Sequence, residues 1–207
     1  MITPRRNDLV SAIYMRIVRL WLGRNFKEIN IMPFEPRPGH SVLMMCNHFS
    51  WWEAFLSNYT AVKVMKRRWH VMMQHENALQ YRFLRYVGMF SIVKGKRQSD
   101  VSLTYGARLL DDSRNLLMIC PQGEIRSNHE TYIDIKKGTF KIIEQIEAPC
   151  QVVYHCTLID YFESLKPRAY IHLFDCGIAG EFTFDELKER VNNFHQQALL
   201  NQINMKH

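Results

Sequence analysis

Long apolar runs are missing from this 207-residue chain. No stretch approaches the roughly 18 uninterrupted apolar residues that a spanning helix needs. Cysteine is scarce and scattered: Cys46, Cys120, Cys150, Cys156 and Cys176 form no Cys-x-x-Cys pair. That excludes a disulfide framework or a zinc site and reads as buried, reduced thiols. No His/Cys/Asp cluster has ligand spacing, so no metal is expected. The 9 glycines and 7 prolines gather into no linker, and there is no repeat or low-complexity run, so a single domain is expected. A basic segment followed by an apolar stretch and a small-residue cleavage site is also lacking, which predicts no signal peptide and a cytoplasmic setting.

Acidic residues are few in the first half of the chain. Residues 1–100 hold 16 Lys/Arg against 6 Asp/Glu, whereas residues 101–207 hold 11 against 14. The overall formal charge of +7 therefore belongs to one half, and it points to an anionic partner such as a membrane surface, a nucleic acid or an acidic substrate. Aromatic residues are plentiful, with 12 Phe, 9 Tyr and 4 Trp, enough for a packed core and against disorder. They are interleaved with apolar rather than basic residues, and no nucleic-acid-binding motif occurs, so nucleic acid is not expected as a partner.

Apolar residues at helical spacing (Val10, Ile13, Tyr14, Ile17, Leu20, Trp21) predict a helix from Asp8 to Gly23. Arg16 and Arg19 interrupt it at about 2.5–3.5 kcal/mol each if placed mid-bilayer, so it cannot span. With flanking Arg5, Arg6, Arg24 and Lys27 it has the pattern of a helix lying on anionic lipid, and equally of an amphipathic helix packed on the domain. Ser41–Cys46 has the length and continuous apolarity of a buried strand. Further strands are expected at Trp69–Met73, Phe90–Val93, Asn115–Cys120, Gln151–Thr157 and Ala169–Phe174. Helices are expected at Trp51–Met65, Asp100–Asp111, Thr139–Ile146 and Phe184–Leu200. Their alternation predicts an α/β domain, a mixed and mostly buried sheet flanked by helices.

A histidine followed five positions later by an acid occurs three times: His48/Glu53, His129/Asp134 and His155/Asp160. Chance alone supplies about one such pair in a chain of this composition, so context must choose. His155 lies in an expected strand, where residues five apart point to opposite faces. His129 follows no strand. His48 directly follows a strand and precedes a helix, a place where a rigid scaffold presents an accessible loop. Glu53 also completes Ser50-x-x-Glu53, a capping box in which the acid serves only a backbone N–H, so both roles stand for it. A second turn, Cys120–Ser127, also follows an apolar strand; its Gly123 and Arg126 suit an anionic group or an ordinary solvated turn.

Taken in order, these blocks resemble the PlsC-like glycerolipid acyltransferase family. Asn47-His48-x-Ser50-x-x-Glu53 is similar to that family's Asn-His-x-Ser-x-x-Asp, with Glu for Asp. Gly88-Met-Phe-Ser-Ile-Val-Lys94 is similar to its second block, which normally ends in Arg. Pro121-Gln122-Gly123-Glu124-Ile125-Arg126-Ser127 is similar to its Pro-Glu-Gly-Thr-Arg-Ser, with Gln for Glu and Arg126 displaced by one position. Lys137-Gly138-Thr139-Phe140 and Ala148-Pro149-Cys-Gln-Val-Val153 fit the remaining segments.

The resemblance implies an O-acyltransferase that moves a fatty acyl group from acyl-CoA or an acyl carrier protein to a membrane-lipid hydroxyl, with no bound cofactor. His48 would be the general base, Glu53 its orienting partner and Ser50 a helix cap. Lys94, Gln122, Gly123 and Arg126 would bind the acceptor or the oxyanion. It also implies a membrane-surface helix over residues 1–27, with Arg16, Arg19 and Trp21 in contact with anionic lipid, and a catalytic domain over 28–207. The enzyme would sit peripherally on the cytoplasmic face of the inner membrane. Lys replacing Arg and the displaced Arg126 weaken forked recognition of phosphate. They leave open a lysophospholipid or a non-phosphate acceptor: a glycolipid, a carotenoid glycoside or an acylated amino acid. A thioesterase and a non-catalytic lipid-binding protein are the remaining alternatives.

Overall fold

The structure, a computed structural model, describes residues 1–93 and 95–205. Its strands are β1 (Glu28–Ile31), β2 (Ser41–Cys46), β3 (Arg68–Gln74), β4 (Met89–Ile92), β5 (Asn115–Ile119), β6 (Cys150–Asp160) and β7 (Arg168–Ile178). They form one sheet in the order β1-β7-β6-β2-β5-β3-β4. Every neighbouring pair is parallel except β6 and β7, so the sheet is mixed, as expected. The helices are α1 (Asp8–Asn25), α2 (Trp52–Thr60), α3 (His75–Gln80), α4 (Lys96–Leu109), α5 (Lys137–Ile143) and α6 (Phe184–Ile203).

The continuous apolarity of β2 has a direct cause: the strand lies between β5 and β6 and is buried on both faces. Val42, Met44 and Cys46 point into a core with Val18 and Leu22 of α1 and Leu56 of α2. Leu43 and Met45 point into the opposite core with Leu103 of α4, Ile142 of α5 and Val191 of α6. Two helical layers therefore sandwich the sheet. Because β2, β3, β5 and β6 run parallel, their carboxyl ends share one edge, where open α/β sheets bind ligands.

Several elements differ from expectation. β1 is a four-residue edge strand, half of it polar, too short to stand out; it pairs with the first four residues of β7. β6 and β7 run to 11 residues each, because antiparallel pairing carries the ladder past the apolar stretches. The helix expected over Trp51–Met65 is α2 followed by a π-turn at Ala61–Met65, which Lys66 ends in the left-handed region at φ 52°. α4 starts at Lys96, ahead of the expected Asp100, and neither α3 nor the 3-10 turn at Arg82–Tyr86 was signalled by periodicity.

α1 begins where the Asn7 side chain accepts the Val10 amide, with Asp8 in its first turn and Arg24 in its last, complementing the helix dipole. Residues before it are strapped to the domain. The Ser91 amide donates to Ile2 O (3.0 Å), the Asn7 amide to Tyr86 O (2.9 Å), and the Arg6 guanidinium reaches Trp69 O and Val87 O. α1 buries Val18 and Leu22 but leaves Leu9 71 % and Leu20 76 % exposed. Among the described residues no helix is long and apolar enough to cross a membrane.

Candidate active site

His48 stands two residues beyond β2. Asn47 fixes the chain just before it by pairing with β6 as a strand residue would: its Oδ1 accepts the Thr157 amide (2.8 Å) and its Nδ2 donates to Thr157 O (2.9 Å). The chain then turns into α2, whose first turn carries Glu53, 1 % exposed. His48 Nδ1 lies 2.7 Å from Glu53 Oε1. That oxygen also accepts the amides of Phe49 (2.5 Å) and Ser50 (2.8 Å), and Ser50 Oγ donates to Oε2 (3.2 Å). Ser50 Oγ in turn accepts the Trp52 amide (2.9 Å) within the turn, but it is not the expected helix cap: the cap position of α2 is Trp51, with no side-chain cap bond.

Bracing the turn and orienting the ring are thus one arrangement. Glu53 does both with the same oxygen. Because Oε1 is the acceptor for two amides, Nδ1 of the ring is the donor in the third contact. Nε2 then carries the lone pair, on a side chain 27 % exposed. A ring held in this tautomer by an acid is placed to accept a proton from a hydroxyl.

The turn after β5 closes over the same residue. Gln122, 4 % exposed, accepts the His48 amide with Oε1 (2.8 Å), and the Arg126 amide donates to His48 O (2.8 Å). Gly123 takes φ +70°, a left-handed conformation suited to glycine, and its amide is committed to Cys120 O (3.1 Å). Asn128 stitches the end of the turn to β6, donating to Thr157 O and accepting the Ile159 amide, both at 2.9 Å.

A cavity of about 880 Å³ opens beside His48 and Glu53. Met72, Ile92, Leu103 and Met118 give it an apolar wall, while Gly123, Glu124, Lys136, Lys137 and Lys141 supply its polar margin. Arg126 and Gln122 line a separate cavity of about 180 Å³ with Glu124, Glu130, Tyr132 and Asp134. The Arg126 guanidinium is taken up by Glu124 Oε1 at 2.5 Å. Of the expected acceptor or oxyanion residues, only Gly123 lines the larger cavity; Lys94 lies outside the described residues.

The rival pairs are apart. His155 is fully buried between the hydroxyls of Thr60 and Thr157, each 3.2 Å away, and burial pushes its pKa down to about 4. Asp160 instead accepts from Gln202 Nε2 (2.6 Å). His129 is exposed, and Asp134 pairs with Lys136. On α1, Arg16 and Arg19 are exposed, while Trp21 packs edge-on against Phe55 (5.0 Å between centroids) and tilts against Trp52 (5.7 Å). Trp21 thereby ties α1 to the helix that carries Glu53. Among the described residues no group of three or more His, Cys, Asp or Glu could hold a metal ion.

The anchoring roles of Asn47, Gln122 and Asn128 escaped sequence reading. The first two stand in recognisable blocks, but their partners lie far along the chain.

A search of the curated proteins finds no match. Among solved structures, the fold matches the crystal structure of the 1-acyl-sn-glycerophosphate (LPA) acyltransferase PlsC from Thermotoga maritima. The TM-score is 0.66 at 12 % identity, covering 98 % of this chain and 85 % of that one. The family model described as Acyltransferase matches residues 25–156, more than half of the chain and both of the turns that meet at His48. The chain therefore belongs to the acyltransferase family.

Proposed function

We propose that this acyltransferase moves a fatty acyl group from a thioester, acyl-CoA or acyl-acyl carrier protein, to a hydroxyl of a lysophospholipid-type membrane acceptor. The observation that carries the reading is the His48–Glu53 contact of 2.7 Å at the edge of a large, partly apolar cavity. His48 Nε2 takes the acceptor's hydroxyl proton while its oxygen attacks the thioester carbonyl. Glu53 holds the ring and stabilises the imidazolium. As the tetrahedral intermediate collapses, the C–S bond breaks and the same proton passes to the departing sulfur. The nucleophile belongs to the substrate, so no reactive Ser or Cys is required. The Gly123 amide is engaged within its turn, so the candidates for oxyanion donation are the amides of the next residues, Glu124 and Ile125, residues that both line the cavity. The apolar wall suits the acyl chain.

A lipid acceptor requires the enzyme to work at a bilayer. The exposed apolar residues of α1 together with Arg16 and Arg19 support peripheral attachment to an anionic surface, on the cytoplasmic face of the inner membrane. A second reading of the acceptor is favoured by Arg126, which is paired with Glu124 and lines the smaller cavity. The same chemistry would then act on an acceptor without phosphate.

The test is purified protein with one acyl thioester donor and a panel of acceptors at equal concentration, products read by mass spectrometry, beside His48→Ala. Ester formation that disappears in His48→Ala is the expected result. Preference for lysophosphatidate that collapses in Arg126→Ala puts Arg126 on phosphate, and preference for a neutral glycolipid favours the second reading. Thioester consumption without ester formation marks hydrolysis and overturns the proposal.

A further inference from the structure

His48 is held at three points, and only one of them is the ring. Its carbonyl accepts the Arg126 amide at 2.8 Å, a main-chain contact available to almost any residue at 126. Its amide donates to Gln122 Oε1, also at 2.8 Å. A backbone amide is a donor only, so the oxygen of the Gln122 side chain must face it. The contact is part-buried on a Gln122 side chain that is itself buried, spans 74 positions of sequence, and depends on the side chain at 122 having an acceptor of this reach. Gln122 does not line the larger cavity. It is therefore poorly placed to be the acceptor ligand that the motif resemblance implies.

We propose that Gln122 is a positioning residue for acyl transfer: it locks the main chain of His48 so that Nε2 faces the cavity while Glu53 holds Nδ1. This rests on the acyl-transfer reading. Without the Gln122 acceptor, the part-buried His48 amide loses its partner. The segment between Asn47 and Glu53 is then free to rotate the ring away from the reacting hydroxyl. A shift of about 1 Å in such a group is enough for about a 100-fold loss of rate.

The experiment compares Gln122→Met, which removes the acceptor at nearly constant volume, with Gln122→Glu, which keeps it. Steady-state kinetics are read alongside NMR of protein labelled with 15N-histidine, following the His48 amide and the Nδ1 proton. For Gln122→Met a loss in kcat of about 10- to 100-fold is expected, with the acceptor KM within about 3-fold, since the lost interaction orients the base rather than binding substrate. The His48 resonances should shift or broaden. Gln122→Glu should recover kcat to within about 5-fold of the parent and keep those resonances, because the amide retains its acceptor. A raised acceptor KM with kcat unchanged would make Gln122 a substrate ligand and overturn the proposal. So would parental kcat and parental His48 resonances in Gln122→Met. If Gln122→Met does not fold, Gln122→Asn, one methylene too short to reach, is judged by the same criteria. Absence of acyl transfer in the parent protein would fail the functional reading alone, because the NMR comparison still decides whether Gln122 holds His48.

Discussion

Glu53 carries more contacts through one oxygen than any other side chain of the site. Oε1 meets the His48 ring and two backbone amides, and the carboxyl is buried at the start of α2. Gln at this position keeps one acceptor oxygen for the two amides, so the turn retains its bracing bonds. It cannot stabilise an imidazolium. Glu53→Gln should therefore lower kcat by about 100-fold or more while moving the thermal midpoint by only a few degrees, read from steady-state rates and a melting curve. Near-parental turnover would reduce Glu53 to a brace of the turn. Glu53→Asp is expected to fall between the two, since its carboxylate is one methylene shorter and must give up part of the amide contacts.

Two elements lend themselves to tests of opposite kinds. The turn before β4 contains Gly88 at φ +115°, where a Cβ would lie 2.5 Å from Trp69 O and 3.0 Å from His70 Nδ1. Trp69 O is main chain and is itself bonded to Arg6, so it has little room to give. Gly88→Ala combines backbone strain with that clash and should cost about 3 kcal/mol or more in denaturant unfolding. α1 is the contrasting case. Leu20 and Ile13 are exposed and contribute little to the core, so Ile13→Glu/Leu20→Glu should leave the unfolding midpoint nearly unchanged. If α1 lies on lipid, the same double variant should bind anionic vesicles at least about 10-fold more weakly in a sedimentation assay, since two buried side chains of that size are worth roughly 1.5–3 kcal/mol each. Unaltered vesicle binding would place the membrane contact elsewhere.

For the molecule as a whole, the sign of its pH dependence follows from histidines buried as neutral rings. Burial pushes both His70 and His155 from 6.5 down to about 4, with the Arg6 guanidinium adding to the shift at His70. Between those values the unfolded chain binds protons that the native state refuses, so stability is greatest above about pH 6.5 and falls as pH drops toward 4. Each ring contributes about 3 kcal/mol when the effect is fully developed. Urea unfolding from pH 8 to pH 4 should therefore show a marked loss of stability across that window. His155→Gln, which does not titrate, should flatten the slope in part, with His70, His172 and His195, all lowered by burial, carrying the remainder. A slope unchanged in that variant would assign the acid sensitivity to other groups.

What the sequence determined by itself was mostly local. Five consecutive apolar residues after Ser41 have the length and continuity of a strand buried on both faces, and β2 is one. His48 and Glu53 are five residues apart across a strand-to-helix turn, close enough for chain geometry alone to bring them together. Blocks in a recognisable order were enough for the family and with it the α/β class. Tertiary structure decided what depends on which strands are neighbours. Placing β5 beside β2 brings the turn of Gln122 and Arg126 onto the backbone of His48. Placing β6 on the other side of β2 gives Asn47 its partner in Thr157. β1 is legible only through its pairing with β7, because four residues, two polar and two apolar, are too short a stretch to register alone. Arg126 shows the distinction most clearly. Its position in a motif suggested a ligand for phosphate, yet the fold turns its guanidinium to Glu124 and into the smaller cavity. The direction of a side chain on a turn follows from the backbone path and the charges packed around it, and neither can be read from residue order.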